Sequence, residues 1–335
     1  MDKVKFAVVG IGYIGKRYAD LILNRNDSEL AAIVDVDKNR IEELSKLYPT
    51  QTFLDIEQLL HSDTNYDVVC LATPNYLHCS QAKLVLKNNS HVVIEKPMGL
   101  NSSDCNEVIQ LAKTQDRNIF CVMQNRYSPP SAWLKEIISN HILGKIFHVQ
   151  INCFWNRDER YYAASEWKGK KALDGGTLFT QFSHFIDTLY WIFGDIENIQ
   201  SRFYNNNHKQ IIDFEDSGVV LFDLLKGGSG TINYSTSVWN KNLESSITII
   251  GEKGSVKVGG QYMDKVLHCE IENYTMPDLP LTNAANDYGN YKGSAANHRY
   301  VIQNIIDVMQ GKDTIKTSAE EGMKVIEMIE RIYRS

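Results

Sequence analysis

The sequence has no long apolar run and no targeting segment at its start. No apolar stretch approaches the ~18 residues that a membrane-spanning helix needs. The first residues lead directly into a strand-like segment, without the apolar region and cleavage site of a signal peptide. We therefore expect a cytoplasmic protein with no membrane partner.

Close cysteine pairs and an excess of positive charge are also missing. The six cysteines are scattered singly, unlike those of a zinc site or a disulfide framework, so we expect reduced, mostly buried thiols and no metal. The net charge of −6 provides no basic excess for binding nucleic acid. We expect a small-molecule partner and no nucleic acid.

The first part of the chain alternates short apolar strands with helical patterns, which is typical of a doubly wound parallel sheet. A length of 335 residues exceeds what one hydrophobic core usually supports, so we expect two domains. The predicted fold class is α/β followed by α+β, with a parallel Rossmann sheet in residues 1–123. Its predicted strands are 5–9, 30–34, 68–72, 92–94 and 119–123.

The second part, residues 124–335, has successive strand patterns with few helices between them. This indicates an α+β domain on an open, mostly antiparallel sheet. We predict one long helix from Gly176 to Gly194, and a long ordered loop or lid over 276–293. The other predicted elements are strands 146–154, 217–225, 229–234, 245–250 and 254–258 and helices 133–138, 298–309 and 319–333.

A glycine-rich turn follows the first strand and opens a helical pattern. Gly10 permits a tight turn, Gly12 lets a pyrophosphate approach the backbone, and Gly15 lets the helix pack closely on the strand. The N-terminus of the helix attracts phosphate charge. The turn therefore predicts a dinucleotide site with contacts from Gly10, Gly12, Tyr13, Ile14 and Gly15.

The second strand ends on Asp35, where an acidic residue of this motif binds the hydroxyls of the adenosine ribose. Asp35 and Asp37 would repel a 2′-phosphate, and no arginine follows immediately. These residues predict NAD, rather than NADP, as the cofactor. The alternative for Asp35 is a turn or helix-capping aspartate.

Polar residues follow the strand 68–72 as well. Thr73, Asn75 and His78 stand at its carboxyl end, where the side chains of an open α/β sheet meet the ligand. We expect all three to contact the dinucleotide, although turn chemistry alone explains the Pro74-Asn75 pair.

The strand 92–94 ends abruptly on Glu95, Lys96 and Pro97, as a buried parallel strand does when it reaches the ligand crevice. The ammonium group of Lys96 is a candidate acid or base. The alternative is a solvated surface lysine, since most lysines are exposed. The Lys96–Pro97 bond is open to either isomer.

The long predicted helix of the second domain carries Gln181, His184 and Asp187 at spacings that place them on one face. Such a set is unusual for a core. His184 is therefore a candidate to complement Lys96 in catalysis across the domain junction. The alternative is a structural core histidine.

The glycine turn, Asp35, Thr73-Pro74-Asn75, Glu95-Lys96-Pro97 and His184, in this order, make the chain resemble the Gfo/Idh/MocA oxidoreductases along essentially its full length. Within that family it is most similar to the WlbA-type UDP-N-acetylglucosaminuronate 3-dehydrogenases of bacterial surface-polysaccharide synthesis. The residues that match this subfamily are 124–126, 154–157, 161–162, 167–169, 174–176, 181, 183–184, 187 and 251–254.

Two positions depart from the subfamily pattern. Lys168 stands where an arginine is usual, and Thr180 stands where the subfamily has asparagine and many other members have aspartate. We expect both residues to reshape contacts with the substrate.

The resemblance implies NAD-dependent oxidation of a secondary carbinol, at C3 of a nucleotide sugar, by hydride transfer. Lys96 and His184 would bracket the carbinol, and either one would take the hydroxyl proton. The implied cofactor contacts are Glu95, near the nicotinamide ribose, with Lys96, Gln124 and Arg126. The implied substrate contacts are Lys96, Arg157, Tyr161, Trp167, Lys168, Gln181 and His184.

Other functions are compatible with the same motifs. The protein could dehydrogenate a free sugar, polyol or inositol, or cleave glycosides with transient use of NAD. A third alternative is a cofactor-binding sensor without chemistry, although the presence of both Lys96 and His184 argues against it.

We also expect a homodimer or homotetramer, because family members commonly pair through the antiparallel sheet, which the few helices of its domain would leave partly uncovered.

Overall fold

The computed structural model describes residues 3–289 and 291–335. Met1 and Asp2, at the start of the sequence, and Asn290, in the predicted loop over 276–293, lie outside the described residues. Two compact units make up the chain.

The first unit contains a parallel sheet with helices between its strands. Its N-terminal elements are β1 (Val4–Val9), α1 (Tyr13–Leu23), β2 (Ser28–Val34), α2 (Lys38–Leu44), β3 (Gln51–Phe53), α3 (Ile56–Leu60), β4 (Val68–Leu71), α4 (His78–Lys87), β5 (His91–Ile94), α5 (Ser102–Thr114) and β6 (Ile119–Cys121). The strands form a six-stranded sheet in the order β3-β2-β1-β4-β5-β6, and every pairing is parallel. The predicted Rossmann sheet is confirmed, with the short β3 as an additional strand.

The sheet order explains how separate motifs come to one edge. Strands β1, β4 and β5 are neighbours in the middle of the sheet, and all of them run in the same direction. Their carboxyl ends therefore share one edge, where an open α/β sheet binds its ligand. The glycine turn after β1, the loop after β4 and Lys96 after β5 lie at this edge.

The second unit is built on a larger sheet. Its elements are α6 (Pro129–Ser139), β7 (Ile146–Phe154), α7 (Glu159–Tyr162), α8 (Lys171–Asp174), α9 (Thr177–Thr180), α10 (Ser183–Phe193), β8 (Ile196–Tyr204), β9 (Ser217–Leu224), β10 (Ser229–Ser235), β11 (Glu244–Gly251), β12 (Gly254–Gly259), β13 (Lys265–Ile271), β14 (Ala285–Asp287) and β15 (Lys292–Ala295). The seven-stranded sheet has the order β13-β12-β11-β7-β10-β9-β8, and only the pairing of β7 with β10 is parallel. This confirms the predicted mostly antiparallel sheet, and strands β8 and β13 were missed.

The predicted long helix from Gly176 to Gly194 is wrong in its first half. The chain forms the short helix α9, ends it at Gln181, leaves the helical path at Phe182, and starts again as α10. Phe182 has a φ of −116° and ψ of 7° and packs its ring against Trp155 at 5.3 Å between centroids. The apolar periodicity continues across the break, which is why the sequence predicts one helix. Gln181 and His184 therefore do not share one helical face.

The segment 276–293 contains more regular structure than predicted. Strands β14 and β15 pair as an antiparallel hairpin, with Ala285 opposite Ala295 and Asp287 opposite Lys292. Their Asn-rich and Gly-rich composition is typical of a loop and hides both strands.

Two helices close the chain, α11 (His298–Met309) and α12 (Ala319–Arg334). The first unit contains Met1–Val122 together with His298–Ile326, and the remainder forms the second unit. The predicted boundary between residues 1–123 and 124–335 stays a prediction, and the two compact units differ from it because His298–Ile326 belongs to the first unit.

The chain returns to the first unit because the apolar face of α11 is buried and its polar side is tied to the start of the chain. Gln303 on α11 accepts a hydrogen bond from Arg25 at 2.7 Å. After α11, Cys121 in β6 donates its backbone N–H to the carbonyl oxygen of Thr317 at 3.1 Å. The periodicity of an amphipathic helix shows that one face is buried, but it does not show against which partner.

In the part of the chain that the structure describes, no helix is long and apolar enough to span a membrane. All six cysteines are free, and five of them are buried. The prediction of reduced, mostly buried cysteines is confirmed.

Candidate active site

The glycine-rich turn has room for the phosphates of a ligand. Gly10 has φ +86°, and a Cβ on Gly15 would lie 1.9 Å from the Gly10 carbonyl oxygen, so only glycine fits there. A Cβ on Gly12 would meet no described atom within 4 Å, and Gly12 caps α1 without a side-chain hydrogen bond. The first N–H groups of α1, beginning at the exposed Tyr13 and half-buried Ile14, therefore suit an anion such as a pyrophosphate.

Asp35 has a more specific role than a helix cap. One of its carboxylate oxygens accepts the backbone N–H of Ile11 in the glycine turn at 2.8 Å, and the other accepts that of Asp37 at 2.9 Å. Asp37, rather than Asp35, caps α2. Arg40, which the sequence reasoning overlooked, pairs with Asp35 at 2.9 Å. Asp35 thus anchors the turn, and a cation lies beside it.

The loop after β4 is held by its own side chains. Thr73 donates its hydroxyl to Gln81 at 2.6 Å, and Asn75 is buried. The ring nitrogens of His78 lie 2.8 Å from the carbonyl oxygens of Pro97 and Thr73. Burial lowers the pKa of this imidazole, and the two carbonyl oxygens oppose that shift. Since both nitrogens are engaged, the predicted contact of His78 with the dinucleotide is not supported, and His78 instead joins the two loops.

A buried carboxylate lies directly beside Lys96. Glu95 accepts the Tyr18 hydroxyl on Oε1 at 2.6 Å and the backbone N–H of Lys96 on Oε2 at 3.2 Å. His298 Nε2 is 3.5 Å from the same Oε1. Burial raises the pKa of Glu95, but His298, Tyr18 and Lys96 outweigh it and hold the pKa below its usual value. Lys96 itself is half-buried and precedes a cis Pro97, so it is not the solvated surface lysine of the alternative interpretation.

Sequence reasoning missed both partners of Glu95. Tyr18 lies within the apolar pattern of α1, and His298 begins a helix more than 200 positions from Glu95. Neither residue has a local motif that marks it. The only available signal was a histidine at the start of an amphipathic helix.

In the second unit, the turn Gln124–Tyr127 contacts helix α10. Gln124 Nε2 lies 3.2 Å from His184 Nε2, and Arg126 Nε lies 3.0 Å from Asp187 Oδ2. The pair of Arg126 and Asp187 is almost completely buried, with side-chain exposures of 4% and 0%. The positive charge of Arg126, predicted to lie near the cofactor, is therefore matched by Asp187, and Gln124 contacts His184.

Arg157 is buried without a carboxylate partner. Its guanidinium donates to the side-chain oxygens of Gln181 at 2.6 Å and Asn242 at 3.2 Å, and to the carbonyl oxygens of Asn156 at 2.6 Å and Lys292 at 3.2 Å. The side chain is 2% exposed. Among residues 3–289 and 291–335, no carboxylate oxygen lies within 4.0 Å of it. Burial lowers the pKa of Arg157.

Lys168 and Arg157 share the same aromatic rings. The guanidinium carbon of Arg157 lies 5.3 Å from the Tyr161 centroid and 4.8 Å from that of Tyr291. Lys168 Nζ lies 4.1 Å and 5.6 Å from these two centroids. Burial lowers the pKa of Lys168 to about 8, opposed by Asp174 and reinforced by Arg157. We call Arg157, Lys168, Tyr161 and Tyr291 the cation cluster.

The remaining predicted substrate residues surround this cluster. Gln181 accepts from Arg157 and donates to the Tyr161 hydroxyl at 2.6 Å, and Trp167 is half-buried. Thr180, at the position that departs from the subfamily, donates its hydroxyl to the carboxylate of Asp174. Thr180 thus orients a neighbouring carboxylate instead of supplying one. Tyr291 and Asn242 were missed, since neither lies in a recognisable motif.

Two family models together match most of the chain. Residues 4–123 match an oxidoreductase family with an NAD-binding Rossmann fold, and residues 135–335 match the C-terminal alpha/beta domain of that family. The chain belongs to the Gfo/Idh/MocA oxidoreductases. It is an enzyme that uses NAD, and the open glycine turn described above fits that cofactor.

Solved structures of the same family superimpose on the chain. The WlbA dehydrogenase from Bordetella pertussis, in complex with NADH and UDP-GlcNAcA, is 30% identical with a TM-score of 0.89, covering 99% of this chain and 96% of that one. The WlbA dehydrogenase from Chromobacterium violaceum, with the same ligands, is 30% identical with a TM-score of 0.89, covering 100% and 94%. Among sequence relatives, the D-glucoside 3-dehydrogenase of Escherichia coli is 21% identical, covering 99% of this chain and 95% of its own.

Proposed function

We propose that the protein oxidises a secondary carbinol, at C3, of a negatively charged nucleotide sugar such as UDP-N-acetylglucosaminuronate, in the synthesis of a surface polysaccharide. The two WlbA structures support this proposal through their bound UDP-GlcNAcA, since each covers nearly the whole chain. The observation that carries the proposal is the cation cluster, and in particular the unpaired charge of Arg157.

A buried charge without a partner is costly, because the protein interior solvates it poorly. Arg157 has amide and carbonyl oxygens around it but no described carboxylate within 4.0 Å, and the half-buried Lys168 places a second positive charge against the same rings. A carboxylate or diphosphate of the substrate would offset both charges through charge-assisted hydrogen bonds. A neutral sugar would leave them unbalanced.

In the proposed chemistry, the two catalytic residues Lys96 and His184 share the removal of a proton and the stabilisation of negative charge. When bound, NAD supplies the hydride acceptor. Lys96 and His184 remove the proton of the carbinol hydroxyl and stabilise the developing alkoxide, since an ammonium and an imidazole can share those roles. Gln124 orients the His184 ring through its 3.2 Å contact. Glu95 holds the backbone of Lys96 at the end of β5 by accepting its N–H.

Most residues proposed to hold the dinucleotide lie in the first unit, and Gln124 and Arg126 of the second unit stay predicted cofactor contacts. The glycine turn would bind the pyrophosphate, Asp35 the adenosine ribose, and Thr73 and Asn75 the remaining part of the dinucleotide along the sheet edge. Glu95 and Lys96 would lie near the nicotinamide ribose.

A thermal-shift screen with NAD present tests the substrate class. UDP-N-acetylglucosaminuronate should stabilise the protein, by about 2.7 kcal/mol at a concentration a hundredfold above its dissociation constant. UDP-N-acetylglucosamine, which lacks the carboxylate, and myo-inositol serve as comparisons. Stabilisation by the neutral polyol alone would contradict the proposal and favour a free-sugar dehydrogenase.

An Arg157→Met variant links the screen to the cation cluster. Its affinity for the anionic ligand should fall about 10- to 100-fold, because a hydrogen bond to a charged group contributes roughly 1.5 to 3 kcal/mol. The matched control is Lys170→Met, which removes a nearby exposed positive charge. If Arg157→Met binds UDP-N-acetylglucosaminuronate as tightly as the unchanged protein, Arg157 does not bind the substrate.

We also propose that copies of the chain pair through the open face of the seven-stranded sheet. One face of the sheet carries buried residues such as Val149 and Ile249. The opposite face carries Val219 and Leu221 of β9, which are 45% and 50% exposed. Light scattering at micromolar concentration measures the assembly and should show a dimer or tetramer. A monomer would remove this proposal and leave the catalytic one standing.

A further inference from the structure

We infer that His298 is a positioning residue for Lys96: it holds the Glu95 carboxylate and offsets its negative charge, and so controls how strongly Lys96 retains its proton. This inference rests on the proposed role of Lys96 as an acid or base. Neither the sequence motifs nor the family match assigns a role to His298.

The geometry places three separate elements around one carboxylate. His298 is the first residue of α11 and is 1% exposed, and its Nε2 lies 3.5 Å from Glu95 Oε1. Tyr18 on α1 donates its hydroxyl to the same oxygen at 2.6 Å. The rings of Tyr18 and His298 meet edge to face, with centroids 5.7 Å apart. The other carboxylate oxygen accepts the backbone N–H of Lys96 at 3.2 Å.

Helix capping does not account for a histidine at this point. The N-terminus of a helix favours negative groups and short polar side chains, and it disfavours a cation. Neither ring nitrogen of His298 makes a hydrogen bond with the described residues, and the Glu95 carboxylate, 3.5 Å from Nε2, is the charged group that the ring faces. A buried imidazole is thus kept in an unfavourable place by a single carboxylate.

The charges around Glu95 show what His298 contributes. Glu95 is 6% exposed, and a buried carboxylate without compensation is costly. The pKa of Glu95 is nevertheless lowered against the effect of burial, with His298 as the main cause. The titratable and charged groups that face Glu95 are Tyr18 from α1, Cys70 from β4, His78 from α4, Lys96 after β5, and His298 from α11.

These charges determine in which direction the deprotonation of Lys96 should shift when His298 is replaced. When His298 carries a positive charge, that charge offsets part of the charge of Glu95, and the Lys96 ammonium gains less from the carboxylate. If the positive charge is removed, Glu95 attracts the ammonium more strongly. Lys96 should then lose its proton only at higher pH.

Competitive labelling measures the pH at which Lys96 loses its proton, without any substrate. The unchanged protein and His298→Gln are treated with acetic anhydride across a pH series, and labelling of Lys96 is quantified by peptide mass spectrometry. Gln keeps an N–H donor for Glu95 but carries no charge. The midpoint for Lys96 should move up by at least about half a pH unit, whereas a purely structural role would change the extent of labelling and leave the midpoint in place.

Two further variants make the result specific. Gln303→Ala perturbs the same helix at its contact with Arg25 and should leave the midpoint unchanged. In a protein that already carries Glu95→Gln, replacing His298 should no longer shift the labelling midpoint of Lys96. If His298→Gln fails to fold, Tyr18→Phe and the Glu95→Gln protein still test the arrangement: Glu95→Gln should lower the midpoint, and Tyr18→Phe, which changes no charge, should move it less.

Turnover then separates this inference from the proposed function. With NAD and UDP-N-acetylglucosaminuronate, His298→Gln should lower kcat about tenfold near neutral pH, with the KM for NAD nearly unchanged. An unshifted Lys96 midpoint in His298→Gln overturns the inference, even if the protein turns over the nucleotide sugar. A shifted midpoint in a protein inactive on that substrate supports the inference and contradicts the proposed substrate.

Discussion

Two buried arginines of the second unit differ in what surrounds them. Arg126 donates to both carboxylate oxygens of Asp187, at 3.2 Å and 3.0 Å from its Nε. Arg157, at 2% exposure, meets amide and carbonyl oxygens, and no carboxylate of the described chain lies within 4.0 Å of its guanidinium. The first charge is balanced within the fold, whereas the second has no carboxylate of the described chain beside it.

The same contrast separates the charged groups of the first unit from the cation cluster. Glu95 is matched by Tyr18 and His298, and Asp35 is matched by Arg40. These side chains are held in place without a ligand, which suits a cofactor site that must keep its geometry through many turnovers. Under the proposed function, the cation cluster instead gains stability when a negatively charged substrate binds, and it would contribute to specificity in this way.

The largest effect is expected on turnover, when a proposed catalytic residue is replaced and the surroundings of Arg126 and Arg157 are left unchanged. Lys96→Met and His184→Asn should each lower turnover at least roughly a hundredfold, since general acid–base groups contribute 10²- to 10⁴-fold. Binding of NAD, measured by titration, should stay normal. The double variant should be little slower than either single one, because residues that act in one step lose less together than the sum of their separate losses.

Near-normal turnover by Lys96→Met would contradict this assignment. Weak NAD binding by the same variant would show instead that Lys96 is mainly a cofactor ligand.

Replacing each arginine by methionine tests the central comparison directly. Arg126→Met removes the cation that pairs with the buried Asp187 carboxylate and should destabilise the protein by about 3 to 5 kcal/mol. Arg157→Met removes four hydrogen bonds, but it also removes the cost of burying a charge that has no carboxylate partner, so we expect a net loss of only about 1 kcal/mol. Denaturant unfolding in the absence of ligand measures both values. Equal losses would mean that Arg157 is a structural residue like Arg126.

Asp35→Ala should narrow the preference for NAD over NADP, by about tenfold. The substitution removes a negative charge that repels a 2′-phosphate and leaves Arg40, now 2.9 Å from the Asp35 carboxylate, without that partner. Titration with both cofactors gives the ratio. If the unchanged protein already binds NADP as tightly as NAD, the role given to Asp35 is wrong.

The smallest effect concerns pH. Lys168 has a pKa lowered to about 8, so it is charged below that pH and loses its proton above it. Affinity for the anionic substrate should therefore fall a few-fold between pH 7 and pH 9, as the KM for the sugar will show. Lys168→Arg, which restores the usual residue and stays charged, should abolish the fall. A KM with the same pH dependence in both proteins would exclude Lys168 as its cause.

The sequence by itself determined the features that depend on neighbouring residues. The apolar runs predicted the parallel strands, the Gly10–Gly15 turn followed from glycine geometry, and Lys96 was placed correctly at the end of β5. The mostly antiparallel sheet of the second unit followed from strand patterns without intervening helices. In each case the signal lies within about 20 residues, where periodicity, turn chemistry and chain direction act.

Only the tertiary structure decided which charges meet. The return of His298 to Glu95, the pairing of Arg126 with Asp187, and the lack of a carboxylate beside Arg157 all join positions far apart in sequence. The break at Phe182 is similar, because its ring packs on Trp155 while the apolar pattern continues unchanged. Periodicity records that a residue is buried, but the partner that neutralises a buried charge is set by how the whole chain packs.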